Sequence, residues 1–203
     1  MSPLWAPLHL EDCDPSPFAQ FTKWFDEAKD LMVEREAIAL ATSTLDGHPS
    51  ARMVLLRHVD AHSFGWYSNY LSRKGREIQE NPYAALLWYC EPLGRQIRIE
   101  GHVVSMSAEE SDAYFAARPR GHRIGAHASH QSQLLHSREE LEQRVRDLDV
   151  FFEDRDVPRP VHWGGFRLTP TFFEFWQHRE DRLHDRIFYA PEGHDWTRTR
   201  HNP

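Results

Sequence analysis

Arginine supplies most of the positive charge in this 203-residue chain. Of 24 basic residues only Lys23, Lys29 and Lys74 are lysine, which leaves 21 arginines. A guanidinium fork suits bidentate binding of phosphate. A GC-rich coding sequence gives the same bias, so position has to decide. Arg52 and Arg57 fall on one expected strand, and Ser72-Arg73-Lys74 opens an expected helix. There free backbone N–H groups would add to side-chain charge in meeting an anion. The same residues fit a solvated basic surface. A second group, Arg118-Pro119-Arg120 with Arg123, follows a helix carrying Tyr114. It reads as an anion site or as cations complementing the helix dipole. The third runs from Trp176-Gln177 to Arg182-Leu-His184-Asp-Arg186. On an extended strand Arg182, His184 and Arg186 would share one face, because side chains alternate. Such a face is costly in a core, ordinary on a surface, and useful in a cleft holding an anionic or electron-rich ligand. Ser129-His130-Gln131-Ser132 adds polar donors in a stretch without clear periodicity.

The elements that would hold these groups are legible in the hydrophobic pattern. Ser16 and Pro17 are N-cap and first-turn signals for a helix over 17–35, with Phe18, Phe21, Trp24, Phe25, Ala28, Leu31 and Met32 at core-facing spacing. Strands are expected at 37–43, 50–59, 63–70 and 83–89, with a hairpin turn at Asp46-Gly47. A short helix is expected over 72–80, stopped by Asn81-Pro82. From Arg95 the pattern alternates, with Gln96, Arg98 and Glu100 opposite Ile97 and Ile99. Capping boxes at Ser107–Glu110 and Ser137–Glu140 open helices to about 118 and 152. Residues 163–177 give one or two strands around Pro170, and 186–189 and 196–200 give short terminal ones. Antiparallel-looking runs with late helices match an antiparallel barrel with helices outside it, mainly β in an α+β class. Residues 1–16 are expected as a loose tail and 17–203 as one domain.

Composition narrows the function. A net charge of −7 and a pI near 6.0 argue against nucleic acid or an anionic membrane as partner. No apolar run approaches the ~20 residues of a membrane span, and the N-terminus has no secretory pattern. Two cysteines, Cys13 and Cys90, exclude a disulfide framework and fit a reducing cytoplasm. Dinucleotide, P-loop, zinc-protease and nucleophile-elbow motifs are absent. His122, His127 and His130 fit no zinc spacing, so no metal is expected.

Taken in order, several stretches resemble the pyridoxamine 5'-phosphate oxidase family. They are Arg52-Met-Val-Leu-Leu56, Trp66-Tyr-Ser-Asn-Tyr70, Ser72-Arg-Lys-Gly75, Gly94-Arg-Gln-Ile-Arg-Ile-Glu-Gly101, Tyr114-Phe115, Arg118-Pro119, His130-Gln-Ser132, Trp163-Gly-Gly165, Glu174-Phe-Trp-Gln177 and Arg182-Leu-His-Asp-Arg186. The resemblance covers nearly the whole chain from about Pro17. It implies a split, Greek-key-like antiparallel β-barrel with peripheral helices and a homodimer with FMN at the subunit interface. It places Arg52, Arg73, Lys74 and Ser132 on the FMN phosphate, with Gln131 beside them. Tyr67 and Ser68 would also contact FMN, and Gln96, Trp176 and Arg186 would lie near its ring system. Tyr114 and Arg118 would hold a substrate phosphate. Arg182 and His184 would carry the catalytic role over the substrate ring.

The implied reaction is oxidation of pyridoxine or pyridoxamine 5'-phosphate to pyridoxal 5'-phosphate, with O2 as final acceptor and hydrogen peroxide as product. Departures fall mainly on the substrate side. Arg57 replaces a family lysine at the edge of the cofactor and substrate sites. His122 replaces a serine beside the substrate phosphate. Residues 1–16 show no counterpart of the segment that covers the substrate in some members, and the chain ends Arg200-His-Asn-Pro203 where the family has Arg-Leu-x-Pro. These changes leave two alternatives open: a related flavoenzyme acting on another substrate, such as a phenazine-type precursor, and a binding protein without turnover.

Overall fold

The computed structural model describes residues 5–203. Five helices accompany the sheet: α1 (Pro17–Glu27), α2 (Arg73–Glu80), α3 (Ala108–Ala116), α4 (Arg120–Ala128) and α5 (Arg138–Phe151). The strands are β1 (Ala37–Ser43), β2 (Pro49–Leu55), β3 (His58–Val59), β4 (Phe64–Asn69), β5 (Tyr83–Cys90), β6 (Arg95–Ser105), β7 (Trp163–Gln177), β8 (Asp185–Glu192) and β9 (Asp195–His201). All pair antiparallel in the order β2-β1-β5-β6-β7-β4-β3, with β8 on β7 and β9 on β8. The order curls the sheet. β3 follows β2 in the chain yet pairs with β4 at the far end, and Arg57 N donates to Gly65 O at 2.8 Å. This is a split barrel.

β7 makes the split. Its first half pairs β4 through Leu168, and its second half pairs β8 from Phe173. Pro170 lies between those two partners, so its missing N–H costs no bond on that side. The strand therefore runs unbroken through Pro170, one strand where the pattern allowed one or two. On the other side the register shifts between Glu100 and Gly101, where Gly101 opposes Pro170. A Cβ on Gly101 would lie 2.1 Å from Thr169 O, so only glycine fits.

The core lies inside the curl, where Phe21, Ile38, Leu40, Phe64, Trp66, Leu86, Trp88, Ile97, Ile99, Phe173 and Phe175 are fully buried. α1 closes one opening with Phe18, Phe21, Trp24 and, just beyond its end, Ala28. It stops at Glu27, short of the expected 35, because the Arg35 guanidinium takes the Phe25 carbonyl at 3.0 Å. Leu31 is consequently exposed. α4 has no counterpart in the sequence reading. It is fixed from outside: Arg120 bonds Asp149 and the Phe152 carbonyl, Arg123 bonds Asp156, and Ile124 packs on Phe152 and Val157.

The expected loose tail is tied down over residues 5–16, and residues 1–4 lie outside the described residues. Leu8 and Cys13 are buried. Leu8 N donates to Asp185 at 3.0 Å, Arg200 to Leu8 O at 2.6 Å, and Tyr189 OH to Asp14 O at 2.7 Å. The partners lie on the C-terminal hairpin, which sequence spacing does not reveal.

Gly101→Ala is expected to cost about 2 kcal/mol, a fall in Tm of roughly 6 °C. Gly125→Ala, in a helix with nothing within 4 Å of the added carbon, should be neutral or stabilising. Thermal unfolding of the two variants measures the contrast.

Candidate functional site

The Ser72 hydroxyl caps α2 by accepting from Gly75 N at 3.3 Å. This sets the first turn, and with it Arg73 and Lys74, against β1, β2 and the end of β4. Glu77, one turn on, is 3% exposed. It accepts hydrogen bonds from Thr42 and Ser50, an Arg73 Nε bond at 2.8 Å and an Arg52 contact at 3.4 Å. Burial opposes its charge, yet the Ser50, Thr42 and Arg73 bonds hold its pKa down at about 2. Arg52 also reaches Leu40 O, Thr42 and Ser50.

Lys74 is different. Its Nζ reaches Gln131 Oε1 at 2.9 Å, Ser68 Oγ at 3.1 Å and Ser72 Oγ at 3.3 Å. All three are neutral oxygens, and no carboxylate lies within ion-pair distance of it among the described residues. Burial, and then the Arg52 charge, push its pKa down to about 8. Ser132 completes the group, its Oγ accepting from Arg73 N at 3.1 Å with its own backbone in the left-handed region (φ 68°). Arg52, Ser68, Arg73, Lys74, Gln131 and Ser132 thus meet at one place. The donors and the under-compensated charge suit a phosphate.

Beside them opens a cavity of about 520 Å³ lined by Tyr67, Ser68, Arg118, His122, Gln131 and Trp163, among others. Tyr67 stacks on Tyr114 at 3.7 Å with rings 4° from parallel, and Trp163 extends the stack at 5.5 Å from Tyr67. The Arg118 guanidinium lies 4.5 Å from the Trp163 ring centre. Its buried Nη1 has no hydrogen-bond partner, and burial works against its charge. Arg118 lines the cavity as a cation with no carboxylate within ion-pair distance among the described residues, which makes it a candidate partner for a second anion. Arg57 is exposed and makes no side-chain hydrogen bond or ion pair among the described residues. Another cavity, of about 490 Å³ near Phe18, His62 and Trp196, contains none of these cations.

The remaining candidates form a separate group on the sheet face away from the core. Gln96, Trp176 and Arg186 are register neighbours across β6, β7 and β8. Glu174, 3% exposed, holds Arg186 Nε at 2.6 Å and Arg98 at 2.8 Å. His184 lies 4.5 Å from the Trp176 ring and accepts from Arg179 N through Nδ1 at 3.1 Å. That bond leaves the proton on Nε2. Burial, followed by His178 and Arg182, holds its pKa below the ordinary value. The expected strand face of Arg182, His184 and Arg186 is not formed. Glu180–Arg182 is a 3-10 turn with Asp181 and Arg182 at φ 55° and 62°, and β8 begins at Asp185. Local bonds from Leu183 N to Glu180 O and from Arg179 N to His184 outweigh the extended pattern. Among the described residues no hydrogen bond joins this group to the Lys74 cluster. Spacing missed Glu77 and Glu174. Glu77 follows the basic run Arg73-Lys-Gly-Arg76, and Glu174 is a lone carboxylate between Phe173 and Phe175; neither spacing marks a site.

Fold and site together define a split-barrel protein with a cation cluster and an aromatic-walled cavity. Residues 25–151 match the family described as pyridoxamine 5'-phosphate oxidase, and 163–203 match the pyridoxine 5'-phosphate oxidase C-terminal dimerisation region. A protein of Rubrobacter xylanophilus named pyridoxine/pyridoxamine 5'-phosphate oxidase is 53% identical over 199 residues, covering 98% of this chain and 92% of its own. One of the same name from Paraburkholderia phytofirmans is 52% identical, covering 97% and 93%. PhzG from Burkholderia lata 383, solved in complex with tetrahydrophenazine-1-carboxylic acid, superposes with a TM-score of 0.90 at 33% identity, covering 98% and 99%. The chain belongs to the pyridoxamine 5'-phosphate oxidase family and is an oxidoreductase of that type. Its dimerisation region points to a homodimer. Among the described residues no helix is long and apolar enough to cross a membrane.

Binding of inorganic phosphate is expected to weaken as pH rises through about 8. The anion favours charged Lys74, so binding takes up a proton above that pH. Calorimetry in two buffers of different ionisation enthalpy reads this uptake directly. Equal heats at pH 9 would contradict it.

Proposed function

We propose that the protein is an FMN-dependent oxidase converting pyridoxine or pyridoxamine 5'-phosphate to pyridoxal 5'-phosphate. The observation that carries this is a cluster of cations at Lys74, whose partners Ser68 and Gln131 line an aromatic-walled cavity that Arg118 also lines. A flavin mononucleotide and a phosphorylated substrate bring one phosphate each. The Lys74 cluster fits the cofactor phosphate because its donors converge and its cations exceed its carboxylates.

Arg52, Arg73, Lys74 and Ser132, with Gln131 alongside, hold the FMN phosphate, and Tyr67 and Ser68 contact the cofactor from β4. Gln96, Trp176 and Arg186 meet its ring system. They lie on the face away from the core, so homodimerisation completes each site between protomers. Bound there, FMN would supply the two-electron acceptor for the C4' carbon of the substrate, with O2 as the final acceptor giving hydrogen peroxide and, for the amine substrate, water releasing ammonia. Tyr114, Arg118 and His122 hold the substrate phosphate, with the Arg57 cation at the edge of the site. Arg182 orients the substrate ring, and neutral His184 offers its Nε2–H to a ring substituent. Holding the reacting carbon against the acceptor supplies the proximity contribution to rate. The two unbridged cysteines, Cys13 and Cys90, fit a cytoplasmic setting for the reaction.

A phenazine-type precursor is the second reading. The likeness to PhzG favours it, together with His122 and Arg57 on the substrate side. A panel of the two B6 phosphates, their unphosphorylated forms and a tetrahydrophenazine acid, with peroxide detection, separates the readings. Peroxide from the B6 phosphates alone supports the proposal. Peroxide only with the phenazine precursor replaces it with the second reading, and bound FMN without peroxide from any compound leaves a binding protein.

Arg118→Ala is expected to raise KM for the phosphorylated substrate at least tenfold, as for a lost charged hydrogen bond of about 1.5–3 kcal/mol. Arg182→Ala should lower kcat while FMN occupancy stays full. Steady-state kinetics with flavin absorbance on the same samples tests both. Loss of FMN in Arg182→Ala, with unchanged rate per bound flavin, would contradict its assigned place.

A further inference from the structure

We propose that Glu77 is a positioning residue of the phosphate site, holding the Arg52 and Arg73 guanidiniums where a phosphate monoester meets them. The inference rests on the reading of FMN as the ligand. Glu77 touches none of the reacting atoms. Its carboxylate is instead the common acceptor for side chains from three elements: Thr42 of β1, Ser50 and Arg52 of β2, and Arg73 of α2.

Two features separate this role from packing. A carboxylate with a side chain 4% exposed is expensive, and an apolar residue would fill the same space at lower cost if filling were all that was needed. The Arg73 side chain is 58% exposed, and its Nε bond to Glu77 is its only side-chain ion pair among the described residues. Without it the guanidinium would spread over rotamers, and binding would have to order it again. Arg52 is 20% exposed and would be left as a half-buried cation close to Lys74 and Arg73. Lys74 does not contact Glu77; its partners are Ser68, Ser72 and Gln131. The carboxylate thus compensates and aims the two arginines and leaves the lysine charge open. Three cations and one carboxylate leave a formal charge of +2, the complement of a phosphate monoester dianion. Removing Glu77 adds net positive charge, which by itself favours an anion. The inference is that lost aim outweighs gained charge.

Riboflavin, which lacks the phosphate, tells positioning from folding. FMN and riboflavin affinities of the apoprotein are measured by flavin fluorescence quenching for wild type, Glu77→Gln and Ser50→Ala, with thermal unfolding as a check on the fold. Glu77→Gln is expected to weaken FMN about tenfold, the equivalent of re-ordering two long side chains, and to leave riboflavin unchanged. Ser50→Ala, which removes one donor to the carboxylate and keeps its charge, should show a smaller loss confined to FMN. It decides alone if Glu77→Gln does not fold. Unchanged or tighter FMN binding, or an equal loss for both flavins, overturns the role. A wild-type protein that binds riboflavin as well as FMN, or neither, overturns the reading beneath it.

Discussion

A lysine ammonium held among neutral oxygens is the constraint from which the rest of the site follows. Lys74 is partly buried and its charge is opposed by burial and by Arg52, while the carboxylate nearest in sequence is spent on two arginines. A fold tolerates such a charge where an anion meets it in use. The barrel provides the setting. β1 and β2 bring Thr42, Ser50 and Arg52 to the start of α2, and β4 delivers Ser68 beside the aromatic cavity. An anion binding here would therefore also stabilise the fold.

The second constraint is topological. β7 is shared between two pairings, and only its C-terminal half carries Trp176 and the link to Arg186. That half pairs with the C-terminal hairpin, its Phe173 and Phe175 turned into the core and Trp176 to the opposite face. One chain therefore presents its cation cluster and its Trp176 group separately. Residues 163–203, which carry the Trp176 group, match a region described as a dimerisation region.

Local chemistry was legible in the sequence. Ser72, Ser107 and Ser137 cap helices where expected, and β1 spans the expected residues. The alternation from Arg95 gives β6 with Ile97 and Ile99 buried. Tertiary decisions were not legible. α4 carries two glycines and depends on ion pairs reaching Asp149 and Asp156. Pro170 survives inside a strand only because its flanking partners change there. The tail order depends on residues about 180 positions away. Arg52, Arg73, Lys74, Gln131 and Ser132, far apart in the sequence, lie together in the fold. The Arg182 turn and the buried Glu77 depend on backbone and burial, which spacing does not encode.

Anaerobic mixing of the FMN-loaded protein with pyridoxine 5'-phosphate, followed through the visible flavin band, tests the central claim most directly. The account predicts bleaching, reversed on admitting air with formation of pyridoxal 5'-phosphate. Full FMN occupancy with no bleaching, repeated with pyridoxamine 5'-phosphate, would contradict it.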